Sequence, residues 1–335
     1  MTHRVKASAQ RSAPAIVWDW SRLGLGAVLA MPAVIALIFD TNTGLALAVG
    51  ILPVVALPLV PLRRGRILSL SIAAIAGVSL LVGSLLGRNG LVAVVGLFAI
   101  CLGASLAAHR SRAGRLALNF AAPLAGMGLS FEFGKVIIVA GLMIASGAYA
   151  WAISLLWPER PVASAPEAST TTRQQALDYG IRLGCAAATA AGIGFLFELD
   201  HKGWVCGAAL LVMRPATGPL IARSVGRAAS VLAGAFLGSL FVQAQPQSIV
   251  IAIVTGVVLA AMAATQPSRW YVTPAFTTFV VFMLLLWQHP NDTVWRFWQR
   301  NLETLLGVAI ALLFGLAVPL LQDIIRRKRT VQPES

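Results

Sequence analysis

Apolar residues come in long blocks along this chain, and polar residues are confined to short intervals between them. The blocks fall near residues 22–39, 43–62, 67–87, 90–108, 114–131 and 134–157. After a polar interval they resume near 178–197, 203–213, 225–243, 248–265, 271–288 and 300–321. Most approach the roughly 20 residues that a helix needs to cross a hydrocarbon core. They are rich in Gly and Ala and show few strand-like alternations, so the pattern predicts helices and not a barrel. The fold class expected is all-α: a polytopic membrane protein of about 12 transmembrane helices, arranged as two parallel six-helix repeats. Residues 1–21 then form a cytoplasmic N-terminal segment, 22–157 the first repeat, 158–177 a linker, 178–321 the second repeat and 322–335 a basic tail. The stretch PERPVASAPEASTTTRQQ, rich in Pro, Ser, Thr and Ala, carries the linker assignment.

Composition sharpens this picture. The chain is 58% hydrophobic and only 11% charged, against roughly 25% charged in soluble domains. A net charge of +14 raises the question of nucleic acid, but the basic residues sit in clusters between apolar blocks, and no aromatic-interleaved basic surface is present. With a cytoplasmic N-terminus and every block spanning, only Arg88, Lys135, Lys202, Arg296 and Arg300 fall outside; the other 21 Lys and Arg fall inside. That asymmetry is what the positive-inside rule asks for. Trp18, Trp20, Trp157 and Trp270 fall at inner edges, and Trp204, Trp287, Trp295 and Trp298 at outer ones. Both termini are therefore expected in the cytoplasm. The opening MTHRVKASAQRSAPAIVWDWSR is too long and polar for an ordinary signal n-region, so the first block reads as an uncleaved span.

The halves resemble each other. Arg22-Leu-Gly matches Arg182-Leu-Gly, and Gly44 precedes its block as Gly203 does. Gly65-Arg66-x-x-Ser69 matches Gly226-Arg227-x-x-Ser230, and Gly77 matches Gly238. Six spans per half make the repeats parallel, about an axis along the membrane normal. Such repeats are a transporter habit, with the site between them, although duplicated channels exist.

On the ninth block Arg227, Gly234 and Gly238 fall within about 20° of one line, with Arg223 and Ser230 on its shoulders. Glycines so spaced let another helix approach. The twelfth block echoes this with Arg300, Thr304, Gly307 and Ala311 on one face and Glu303 beside them. Prolines interrupt matching blocks, Pro53, Pro58 and Pro61 in one half and Pro215 in the other. Paired Pro-broken segments point to a transport site, whether they re-enter or merely kink. Arg214, Arg223 and Arg227 would then offer forked donors to a carboxylate; as ordinary end-of-span arginines they would instead snorkel to the headgroups.

Glu303 either pairs with Arg300, the reading favoured here, or accepts a proton during coupling. Glu198, Asp200 and His201 read as solvated loop residues. Tyr271, Thr273, Thr277 and Thr278 either line a polar path or, for the threonines, bond their own helix carbonyls. Cys101, Cys185 and Cys206 lie in apolar blocks without metal-ligand spacing, so no metal, cofactor or disulfide is expected. No nucleophile elbow, P-loop or paired catalytic carboxylates is present, and no enzymatic activity is expected.

In order and spacing, Trp204, Pro215, Gly218, the arginine-headed glycine helix, Tyr271 to Thr278 and the closing Arg300-x-x-x-Thr304-x-x-Gly307 resemble the fusaric acid resistance and aromatic acid exporter superfamily. The likeness covers about residues 178–321 well and 22–157 weakly. It looks like a compact form lacking the large cytoplasmic domains of such exporters. Leu45 stands at the tryptophan position of the first half, and Ala73 where a glycine would be. The resemblance implies a bacterial inner-membrane protein that exports aromatic or other organic acids on the proton gradient, often with a periplasmic adaptor subunit. It also looks related to passive organic-anion channels. A non-transporting membrane subunit that scaffolds an envelope complex is the third reading. The partners expected are the bilayer, a small organic anion, the adaptor and a second copy of the chain; nucleic acid is not.

Overall fold

A computed structural model describes residues 16–57, 59–159, 172–213, 220–268, 271–288 and 292–320. Arg214, Pro215 and Gly218 lie outside the described residues, as do Trp270, most of the linker and the basic tail.

Among the described residues the regular structure is entirely helical. Helices α1 (Trp20–Phe39), α2 (Thr41–Val55), α3 (Ile67–Leu86) and α4 (Gly90–Arg110) follow the first four apolar blocks. The fifth block folds as α5 (Arg112–Leu116) and α6 (Ala122–Gly128), joined by a π turn at Ala117–Ala121. Pro123 explains the wider turn, because it has no N–H to continue the ordinary ladder. Then come α7 (Phe133–Leu156), α8 (Arg173–Leu196), α9 (Lys202–Val212), α10 (Leu220–Gln243), α11 (Ser248–Ala264), α12 (Thr273–Gln288) and α13 (Thr293–Leu312). A second π turn, Leu313–Ala317, extends α13. Asp40 and Asn89 cap α2 and α4 through their side chains. Hydrogen bonds from Thr43 hold the Asp40 carboxyl below its usual range.

Seven of these helices are long and apolar enough to cross a membrane, namely α1, α3 with its preceding turn, α4, α7, α8, α10 and α13 with its extension. Helices α2, α9, α11 and α12 are apolar but shorter. Helix α13 starts earlier than its apolar block, because residues 293–299 are amphipathic. Trp295 and Trp298 are exposed there, and Arg296 pairs with Asp292 at 3.5 Å.

Small residues decide which helices meet, as expected where lipid competes for every larger apolar side chain. Helix α1 packs antiparallel on α11, where Gly26 meets Ala260 and Ala263, and Gly256 meets Val34. Helix α4 packs antiparallel on α8, with Gly180 against Leu102 and Ser105 and Gly184 against Phe98. Helix α3 lies antiparallel to α7 and also packs on α6. Helices α10 and α12 run parallel: Gly234 meets Ala275 and Thr278, and Gly238 meets Phe279 and Phe282. Helix α9 runs parallel to α13, with Gly307 against Val205 and Ala208. The short α2 and α9 are the most enclosed; in α9 the nine residues Gly203 to Leu210 and Val212 are all apolar or glycine, and all are buried.

Two large apolar clusters result. One draws mainly on α1, α2, α11 and α12, the other on α4, α6, α8, α9 and α13. Large side chains such as Ile35, Leu91, Ile138, Val225, Leu237 and Leu302 face outward.

The α10–α12 contact leaves no room for a side chain on its glycine. A Cβ at Gly234 would lie 2.3 Å from the Ala275 carbonyl oxygen. Gly234→Val is expected to destabilise the protein by about 1–3 kcal/mol. Gly103→Ala, at a position with nothing within 4 Å, is expected to be neutral or slightly stabilising. Thermal unfolding in detergent, compared between the two variants, measures the difference.

Candidate functional site

Residues that look unrelated in sequence meet where α9 packs on α13. Trp204, in the first turn of α9, is buried. The Arg300 guanidinium sits over its ring, with Cζ 4.2 Å from the centroid. The His201 ring stacks on the same indole at 4.0 Å and an interplanar angle of 15°. Parallel packing brings these residues together, since it sets the first turn of α9 beside the third turn of α13. The anchor is Gly307, where a Cβ would come within 2.5 Å of the Val205 carbonyl oxygen.

One turn beyond Arg300 lies Glu303, only 3% exposed. The ion pair favoured on sequence grounds does not close, because Arg300 is spent on the indole face. Neither carboxylate oxygen has a hydrogen-bond partner. The His201 main chain faces the carboxylate, short of hydrogen-bond geometry. A buried carboxylate with no hydrogen bond, only the charge of Arg300 nearby, is costly and uncommon, which makes it a functional candidate.

His201 is half-buried rather than solvated. Desolvation, reinforced by Arg296 and Arg300 and opposed by Asp200, brings its imidazole down to about 4. The ring is therefore neutral at physiological pH, and it stacks as an uncharged surface. Asp200 remains exposed and accepts a hydrogen bond from Gln299 at 2.9 Å.

A second group forms at the N-terminal ends of α10 and α12. Arg223 and Arg227 are buried there. The Ser230 hydroxyl donates to the Tyr271 carbonyl, and the Tyr271 ring packs over Gly226. The Thr277 hydroxyl donates to the Pro274 carbonyl at 3.1 Å, within its own helix. Helices α10 and α13 pack together with Phe236 beside Phe297. The structure gathers Trp204, Arg300 and Glu303 into one cluster and Arg223, Arg227 and Tyr271 into another.

Arg66, which matches Arg227 in the sequence, is 1% exposed. Its five N–H groups are all spent on carbonyls. Nε donates to Val60 at 3.2 Å, one terminal nitrogen to Ser154 and to Trp157 at 2.8 Å, and the other to Pro61 at 3.3 Å and Pro158 at 3.0 Å. It fastens the end of α7 to the irregular chain after α2. Next to it lies a cavity of roughly 500 Å³. Sequence reasoning passed over this cavity as a place in its own right; the interruption by Pro53 and Pro61 was the signal for it.

Apolar outer faces and membrane-length helices make this a polytopic helical membrane protein. Residues 188–314 match the fusaric acid resistance protein-like family. That match contains Trp204, Arg223, Arg227, Tyr271, Thr277, Arg300 and Glu303, and with the apolar helices it gives a membrane transporter-like protein. The chain matches no curated protein and no solved structure.

Proposed function

We propose that the protein exports aromatic or other organic acids across the bacterial inner membrane, driven by the proton gradient. The observation that carries this reading is the unpartnered, buried Glu303 carboxylate one turn from Arg300 on its indole platform. Arg300 is held by a neutral ring, so a substrate carboxylate can take it up without breaking a protein ion pair. Glu303 would carry the proton in the opposite direction, loaded when the cluster opens to one side and unloaded on the other. Arg223 and Arg227, buried at the start of α10, would attract the anion from the other cluster. The reading involves no covalent change to the substrate.

The packing supports a two-repeat architecture of 12 spans for this function. Exchanging the first six blocks for the last six leaves the main contacts unchanged. The α1–α11 pair then becomes α8–α4, α2–α12 becomes α9–α6, and α2–α7 becomes α9–α13. Likewise α3–α7 becomes α10–α13 and α3–α6 becomes α10–α12. The helix directions read from the glycine contacts are those of an alternating 12-span chain. In this architecture both termini are cytoplasmic, in keeping with the distribution of Lys and Arg. A periplasmic adaptor, which the resemblance implies, belongs to the same proposal.

Labelled 4-hydroxybenzoate uptake into inside-out vesicles tests the function. The expected result is uphill accumulation that a protonophore abolishes. Flux that only equilibrates would favour the passive channel, and absence of flux across a panel of organic acids would favour the scaffolding subunit.

A further inference from the structure

We propose that His201 is a proton relay, passing protons between the solution at the α8–α9 loop and the buried Glu303 carboxylate. The inference deepens the export reading, on which it rests for the use made of the proton.

The loop after α8 holds this one imidazole in a fixed place. His201 is the last residue before α9, and its carbonyl accepts from the Trp204 N–H at 2.9 Å. Two residues on, the Gly203 N–H donates to the Ser130 hydroxyl at 2.7 Å. A Cβ at Gly203 would lie 2.3 Å from the Met127 carbonyl oxygen, so the chain is pinned against the end of α6. The ring itself lies flat on the buried indole of Trp204.

The two ring nitrogens meet different surroundings. Nδ1 is sealed from solvent and has no hydrogen-bond partner. Nε2 is not sealed in this way, and the neighbouring Asp200 is exposed. Inward, the His201 main chain faces the Glu303 carboxylate, and Nδ1 is the ring nitrogen nearer to that main chain. Nδ1, Arg300 Nε and both Glu303 oxygens make four buried polar atoms without a hydrogen bond in one cluster. A buried water takes about two to four partners of this kind, and one between Nδ1 and the carboxylate completes the path.

The transfer balances without a co-reactant. With its hydrogen on Nδ1, the neutral ring takes a proton from hydronium at Nε2. It then gives the Nδ1 proton, through the water, to the carboxylate. Hydronium becomes water, the carboxylate becomes a carboxylic acid, and the ring ends neutral with its hydrogen on Nε2. A half-turn of the ring resets it. The charged groups facing the ring are Asp200 from its own loop and Arg296, Arg300 and Glu303 from α13. Lys202 is turned away onto the Phe195 ring, with Nζ 4.4 Å from the centroid, and α6 and the turn after it meet this loop through the uncharged Met127 and Ser130. Two arginines keep the imidazolium short-lived, so the ring conducts a proton and does not store one.

Time-resolved infrared absorption after a rapid pH drop tests this in the full-length protein in detergent. The Glu303 band is the carboxylic-acid C=O stretch that Glu303→Gln removes. In His201→Ala and His201→Phe that band is expected to form more slowly, by about tenfold or more. Added imidazole should restore the rate in His201→Ala, where the ring's place is open, and not in His201→Phe. If His201→Ala fails to fold, His201→Phe, which keeps a ring on Trp204, still decides. A wild-type rate in either folded variant, or a slow His201→Ala that imidazole leaves slow, would overturn the relay. A slow band in His201→Phe without uphill 4-hydroxybenzoate flux in the wild type keeps the relay and sinks the export reading. Flux that needs Glu303, with a wild-type band rate in His201→Phe, keeps the export reading and sinks the relay.

Discussion

Glu303→Gln is expected to leave a folded protein that no longer concentrates its substrate. The amide has the size of a protonated carboxyl, and the site offers the carboxylate no hydrogen bond that Gln would lose. Packing is therefore preserved, and only the ability to take up and release a proton goes. Uphill uptake of 4-hydroxybenzoate into inside-out vesicles should fall by about a hundredfold or more, the loss usual for removing an essential proton carrier inside a membrane. Exchange of labelled for unlabelled substrate, which needs no net proton movement, should survive. Its rate should also lose its dependence on the pH gradient. Arg300→Gln should behave differently, weakening substrate binding while leaving the coupling ratio alone. If Glu303→Gln still accumulates substrate to the wild-type level, and a protonophore still collapses that accumulation, another group carries the proton.

The helical character of the chain was legible because lipid demands it: each span must satisfy its own backbone. The apolar blocks and the helices coincide, apart from the amphipathic start of α13 and the π turn before Pro123. The glycine line on α10 was also legible, since helical period alone puts Gly234 and Gly238 on one face. That α12 fills that face was not, because a small-residue stripe names no partner. The same holds for α1 and α11. Their contact spans most of the chain, and only the folded arrangement shows that α1 packs on α11 and α4 on α8.

The candidate cluster shows where sequence reasoning stops. Trp204 and Arg300 each stood out alone, as a tryptophan opening a helix and an arginine heading one. Their contact, 96 positions apart in sequence, depends on α9 and α13 running parallel with Gly307 between them. Without that contact, the nearest plausible partner for Glu303 was Arg300, three residues away. The indole face takes the guanidinium instead, and the carboxylate is left without a hydrogen bond. His201 looked like a loop residue because polar neighbours surround it in sequence, yet Trp204 covers it in space.

Arg66→Ala is expected to be among the most damaging single changes for stability. On sequence grounds Arg66 stood out only as the counterpart of Arg227, with no partner of its own in view. In the fold it is buried, and its five donors serve carbonyls of two separate segments, residues 60–61 and 154–158. Those at Ser154 and Trp157 belong to the end of α7, where the helix dipole favours a cation; the Ser154 carbonyl also accepts from the Trp157 N–H. Removing the side chain strands these acceptors away from water and frees the irregular chain that lines the cavity. Hydrogen bonds to a charged group contribute about 1.5–3 kcal/mol each, and they are not additive. A total loss of roughly 3–5 kcal/mol is therefore expected. Arg66→Lys should recover only part of it, because an ammonium has three donors and no planar fork. Arg63→Ala, at an exposed neighbour, should stay within about 0.5 kcal/mol of the wild type. Thermal unfolding followed by tryptophan fluorescence in detergent ranks the three variants. If Arg66→Ala melts with Arg63→Ala, the carbonyl network does not hold α7 to the broken end of α2.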